Sequence, residues 1–260
     1  MPSAVPLPAL RSESWGAWWA EEGGAARTVV IPPHAGEQRP YDHHMTGDTR
    51  IEQAHLLYER AVFGGDSDAL ATADLGLDAV EADVALARGR LEHARFLDNQ
   101  VENALELELF KRAAELYERL GDVRGEGEAL FWVGTFHQVV RDDTETALPA
   151  YIRARELATR ADDRLTLSYV LRHLGFAEHM AGRLDAAREH LEESTRLRRE
   201  LGFLPGVAAN AITLAQFAAE QHQRDEATAL LEEAAEMAEA TESHGVLRWV
   251  AAARERLELP

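Results

Sequence analysis

The chain has 260 residues, 46% of them hydrophobic, with 46 acidic against 27 basic side chains and a formal charge of -19. That average field repels nucleic acid, so none is expected as a partner. The lack of cysteine removes disulfides, thiolate metal sites and cysteine nucleophiles together.

Positions 1–48 differ from everything after them. Pro2, Pro6, Pro8, Pro32, Pro33 and Pro40 fall here with Gly23, Gly24 and Gly36, so no long helix crosses this stretch. Two islands interrupt it: Ser14–Trp19, which suits a short helix, and Thr28–Ile31, which suits extended chain. A tail that carries Trp15, Trp18 and Trp19 is expected to pack on the rest of the chain or on a partner. Its opening residues lack a basic segment followed by an apolar run, and no apolar run in the chain nears the ~18–20 residues of a membrane helix. Neither a secretory signal nor a membrane is expected, and the cytoplasm is the expected compartment.

From residue 49 the pattern turns helical and stays so to residue 260. Leu56, Leu57, Arg60 and Ala61, then Leu105, Leu109, Ala113 and Leu116, recur at helical spacing. Asp66-Ser67 offers a helix start before Ala69. Gly89–Arg95 echoes Gly182–Arg188 and marks an early unit, after which helical sequence runs from Leu91 towards Leu120. That stretch reads either as one long helix or as two helices broken near Asn99.

Internal repetition is the strongest signal. Leu130, Val133 and Gly134 align with Leu171, Leu174 and Gly175, then with Ala211, Leu214 and Ala215. Ala147, Ala187 and Ala227 recur at a constant interval, each followed about one helical turn later by Tyr151, Leu191 or Leu231. Small residues at Gly134, Gly175 and Ala215 let a second helix approach closely, and the alanines do the same from the other side. A single helix pair cannot bury its own faces, so pairs stack. The units run at about 67–120, 123–161, 164–201 and 205–241, with a capping helix at 244–258 holding Trp249.

These features resemble the tetratricopeptide repeat (TPR) family. They are the Leu174-Gly175 step, the small residue opening each second helix, and Gly182–Ala187 in the turn. The period of about 40 exceeds the usual ~34, as in longer versions from bacterial regulators and signalling proteins. HEAT-type repeats share the longer period, but the small-residue pattern fits them less well. The resemblance implies an all-α, right-handed α-solenoid of antiparallel helix pairs after an irregular tail. It also implies a concave face, lined by the first helix of each pair, that holds a protein or peptide segment. Projected here, that face carries Phe131, Thr135 and Gln138, then Arg172, Phe176 and His179, then Ile212, Gln216 and Ala219. Two phenylalanines beside Arg172 and His179 suit a ligand with an apolar part and a carboxylate or other acceptor, or else Phe131 and Phe176 pack against the N-terminal tail. The Lys and Asn pattern of the two-carboxylate clamp known in chaperone-binding members is missing. At a core position usually held by a large aromatic stand His137, Glu178 and Ala218, and His137 with Glu178 is expected to form a coupled pair.

Motifs that carry chemistry are few. Asp42-His43-His44 has no further ligand placed by spacing, so no metal is expected. Gly125-Glu126-Gly127-Glu128 follows a helix and sets carboxylates where phosphate would sit. No nucleophile elbow or separable carboxylate pair is found, and no cofactor is expected. A scaffold or adaptor that binds a protein segment is therefore the first reading, with catalysis not expected. The rivals are a sensor module of a bacterial regulator, binding a peptide or small molecule, and an atypical enzyme or carrier built around Arg172, His173, His179, His137 and Glu178. A homodimer is a further expectation.

Overall fold

The computed structural model describes residues 48–259, so the tail, with its tryptophans and Asp42-His43-His44, lies outside the described residues. Ten α-helices and no strand occur among the described residues. They are α1 (Thr49–Gly64), α2 (Ala69–Asn99), α3 (Ala104–Leu120), α4 (Val123–Thr135), α5 (Thr144–Arg160), α6 (Arg164–Met180), α7 (Leu184–Glu200), α8 (Leu204–Glu220), α9 (Arg224–Ala240) and α10 (His244–Arg256). None is long and apolar enough to cross a membrane. The chain divides into two compact units. The described part of the first runs to Ala129 and takes in Val139–Asp142; the second comprises Leu130–Gln138 and the chain from Asp143 onward.

Within the first unit α2 packs on α1 and on α3. The helical sequence between Leu91 and Leu120 is two helices: α2 ends at Asn99, Gln100 turns left-handed at φ 55, and the Asn103 side chain accepts from Leu105 N at 3.1 Å to start α3. The expected helix start at Asp66-Ser67 lies one step later. Asp68 is the N-cap without a side-chain bond, while the Asp66 carboxylate is engaged by Asp68 N and by Arg60.

In the second unit α5 to α9 succeed one another as antiparallel neighbours, each in contact with the next, and α10 lies against α8 and α9. The all-α, stacked helix-pair fold read from the repeats is the fold observed. Its spacing follows from the turns. Left-handed residues close the turns at Gly121, Asp142, Asp162, Gly182, Gly202, His222 and Glu242, evenly spaced after a first interval that is longer by one. The odd interval has a local cause. Phe136–Val140 forms a π turn, which takes up one extra residue within a helical run. The step from Gly134 to Ala147 is therefore longer by one than the steps from Gly175 to Ala187 and from Ala215 to Ala227.

The seams between helices show why the small residues recur. A Cβ on Gly134 would stand 2.7 Å from the Tyr151 ring, and one on Gly175 would stand 3.2 Å from the Ala187 carbonyl oxygen. Ala147, Ala187, Ala227, Tyr151, Leu191 and Leu231 are fully buried, the last two contributing about 1.5–3 kcal/mol each.

Candidate functional site

The residues assigned to the concave face lie in the second unit, and the structure buries most of them. Phe131, Thr135, Gln138, Arg172, Phe176 and Ile212 are buried, whereas Gln216 and His179 keep partial exposure. The buried residues gather around two polar centres.

The first centre joins α4, α5 and α6. Gln138, in the π turn, accepts at Oε1 from the Tyr151 hydroxyl at 3.1 Å and contacts His173 Nδ1 at 2.7 Å. An amide oxygen only accepts, so this contact puts a proton on Nδ1. Gln138 Nε2 donates in turn to the His173 carbonyl at 3.2 Å. The Tyr151 hydroxyl also reaches Thr135 Oγ1 at 3.4 Å, and burial pushes the phenol well above its ordinary range. Phe131 packs against Trp132, Tyr151, Tyr169 and His173.

The second centre holds two buried guanidiniums. Arg172 of α6 donates through Nη1 to Asn210 Oδ1 at 2.7 Å and to the Ala209 carbonyl at 3.0 Å, and its guanidinium lies over the Phe176 ring at 4.6 Å. Arg198 of α7 donates through Nη1 to the same Asn210 oxygen at 3.0 Å and to the Gly206 carbonyl at 2.7 Å, with Nε on Ser168 Oγ at 3.3 Å. Tyr169 and Phe203 cover its faces. Asn210 is held by its own amide, which donates to Ser194 and Thr195.

No carboxylate pairs with either arginine among the described residues. Arg172 Nε and Nη2 donate to no described group, and Arg198 Nη2 is buried without a partner. Burial, then the charge of Arg198, lowers the Arg172 basicity well below the ordinary range, and burial pushes Arg198 down to about 10. Both remain charged near neutrality. Two cations that share one neutral acceptor are thus enclosed in a chain whose net charge is -19.

The remaining residues sit at the margin. His179 stacks on Phe217 at 4.3 Å between ring centroids, and its Nε2 meets Glu220 Oε2 at 2.6 Å. Gln216 Nε2 reaches the other oxygen of Glu220 at 3.5 Å. The structure does not bring His137 and Glu178 together. The Glu178 carboxylate is taken by Arg183, which holds it below the usual carboxylate range. His137 sits in the π turn with its ring edge-on to Phe136 at 5.8 Å. The extra residue of that turn shifts the register after Thr135, so the alignment that paired the two positions no longer holds there.

Ser168, Ser194, Arg198 and Asn210 were not singled out from the sequence. A signal was present for Asn210, a lone amide within the apolar run Val207–Ile212. Arg198 had none, since Arg196 and Arg199 beside it are exposed and ion-paired.

The first unit offers a cleft of about 280 Å³, lined by Asp83, Arg90, Tyr117, Asp122, Arg124 and Glu128 among others. Its charges answer each other: Tyr117 donates to Asp83 at 2.7 Å and Arg90 pairs with Glu128. No group of three possible metal ligands occurs among the described residues.

Small residues at the helix seams, evenly spaced turns and stacked antiparallel pairs define the repeat, and residues 126–200 match the family described as Tetratricopeptide repeat. Those residues carry tetratricopeptide repeats. Such repeats are in general protein–protein interaction modules. No curated protein matches the chain. The matched TPR segment contains the whole of α5, α6 and α7, with Phe131, Gln138, Arg172 and Arg198 inside it.

Proposed function

We propose that this chain is a binding module that takes a segment of a partner protein on the α4, α6 and α8 face of its second unit, with a carboxylate of that segment received at Arg172. The observation that carries this reading is the pair of buried guanidiniums without an acid. An enclosed charge without a counter-charge costs several kcal/mol, and a carboxylate is the group that a planar guanidinium matches with two parallel hydrogen bonds. Arg172 has Nε and Nη2 uncommitted on one edge for that purpose. Phe176, buried beneath the guanidinium at 4.6 Å, holds it in place. The negative charge of the chain makes nucleic acid a poor partner and leaves Arg172 as a local positive point in an acidic surround.

The test is peptide binding by fluorescence anisotropy, using a random peptide pool with free C-terminal carboxylates and the same pool amidated. Retention of the free-acid pool, lost on amidation and lost in Arg172→Ala with the helical circular dichroism unchanged, is the expected result. Equal retention of both pools would remove the carboxylate from the reading.

The burial of Phe131, Gln138 and Phe176 favours a second reading, a small carboxylate enclosed at the same arginines. Native mass spectrometry of the purified chain distinguishes the two, because an enclosed acid adds a discrete small mass.

A further inference from the structure

The longest helix has a use that the binding face does not explain. α2 has 31 residues, and Leu70, Leu77, Val84 and Leu91 recur along it at seven-residue steps. All four are 42–58% exposed. Ala73, Val80, Ala87 and Ala94 fall three residues after each, which completes the 3–4 alternation of a coiled-coil seam. Ala73 is buried and Val80 half-buried, while Ala87 and Ala94 are exposed. The side of α2 that meets α3 is different: Ala82, Ala85, Leu86, Gly89, His93 and Phe96 are buried there. Two sets of apolar residues therefore share one helix; α3 covers the one, while of the other α1 covers Ala73 and the large residues stay open.

The charges beside the seam decide what covers it. Asp74, Glu81, Arg88 and Arg95 also recur at seven-residue steps and run along one edge in the order acid, acid, base, base. Asp74 and Arg88 have no ion-pair partner among the described residues. Glu81 pairs with Arg112 and Arg95 with Glu92, both at exposed positions where such pairs contribute little. A second α2 laid parallel would set acid beside acid and base beside base. Laid antiparallel, it sets Asp74 opposite Arg95 of the second copy and Glu81 opposite its Arg88, twice each by the two-fold symmetry. An arbitrary partner helix has no reason to match this order, and the same helix reversed matches it at all four positions.

We propose that the chain forms an antiparallel homodimer through α2, with Leu77, Val84 and Leu91 as its seam and the Asp74–Arg95 and Glu81–Arg88 pairs setting its direction. Ala87 and Ala94, exposed between the large residues, let the two helices approach closely. The seam from Leu77 to Ala94 is ~26 Å long at the α-helical rise. This inference is independent of the peptide face in the second unit.

Sedimentation equilibrium of the full chain tests it. The wild type is expected to dimerise reversibly at micromolar concentration, and Leu77→Glu with Val84→Glu to be monomeric with unchanged helical signal, since both positions are exposed. Asp74→Arg is expected to weaken the dimer roughly tenfold, by setting arginine against arginine, and addition of Arg95→Asp to restore it. Direction is read separately. The chain has no cysteine, so a mixture of Asp74→Cys and Arg95→Cys chains is expected to form a disulfide-linked dimer that neither forms alone. A wild type that stays monomeric, a dimer untouched by the double Glu variant, or cross-linking of Asp74→Cys with itself would each overturn the proposal.

Discussion

The α2 helix of the first unit and the α6–α8 region of the second depart from the ordinary inside-out arrangement in opposite directions. α2 leaves Leu70, Leu77, Val84 and Leu91 in solvent. The α6–α8 region encloses Ser168, Arg172, Ser194, Thr195, Arg198 and Asn210. Packing differs accordingly. α1, which packs on α2, buries only Leu57 among its residues, whereas α8 buries eleven of seventeen. An exposed apolar stripe is stabilised by being covered, and an enclosed cation by being neutralised. On the readings proposed above, a second copy of the chain completes the one region and a carboxylate the other.

The contrast can be broken most forcefully at the packed end. Tyr151→Ala removes a fully buried ring that fills the space over Gly134, and it is expected to cost about 3–5 kcal/mol in urea denaturation. Phe63→Ala, at a residue 83% exposed, is expected to stay within about 0.5 kcal/mol of wild type. Similar losses for the two would mean that the regions are equally packed.

A subtler test separates the two members of the polar centre. Asn210→Ala strips both guanidiniums of a shared acceptor and is expected to cost about 3 kcal/mol. Arg198→Met instead replaces an enclosed charge by an apolar chain of similar length, and it is expected to raise stability by about 1–2 kcal/mol. Melting curves for the two variants should move in opposite directions. If Arg198→Met falls with Asn210→Ala, the arginine is already neutralised in the purified protein.

A smaller gain is expected from a turn. His222 holds φ 63 at a position where Gly182 and Gly202 serve the equivalent turns. His222→Gly relieves the Cβ contact of the left-handed conformation and should raise stability by about 1 kcal/mol, read as a shift of the urea midpoint.

The last effect is a pH dependence. Burial lowers the His190 basicity below its ordinary value of 6.5, with nearby Glu178 opposing it. The unfolded chain therefore binds the proton more readily than the folded one. The His190 contribution weakens the fold as pH falls through and below 6.5 and vanishes above it. Urea midpoints between pH 8 and pH 5 should decline less steeply in His190→Gln than in wild type, and parallel curves would exclude His190 as the source.

How much of this was legible beforehand varies by residue. Gly134, Gly175, Ala147, Ala187 and Ala227 announced the close helix seams, because only small side chains recur where backbones approach. Asp142, Asp162 and Glu242 hid the turn period, since acidic residues in left-handed conformation look like ordinary loop or helix residues in a row of letters. The π turn was hidden for another reason: one inserted residue lengthens a spacing without naming the backbone that absorbs it. That insertion is why His137 and Glu178, aligned by counting, do not meet.

The seven-residue row on α2 is also written in the sequence, where it could equally have been a buried stripe.

Sequence alone determined the all-α class, the repeat and its period, because periodicity and residue size are local properties of the chain. Tertiary structure decided which stripe of α2 is open, that Arg172 and Arg198 share Asn210, and that most of the projected binding face is buried. Those outcomes depend on which residues, distant along the chain, come to lie within hydrogen-bonding or packing distance, and burial is a property of the neighbours rather than of the residue.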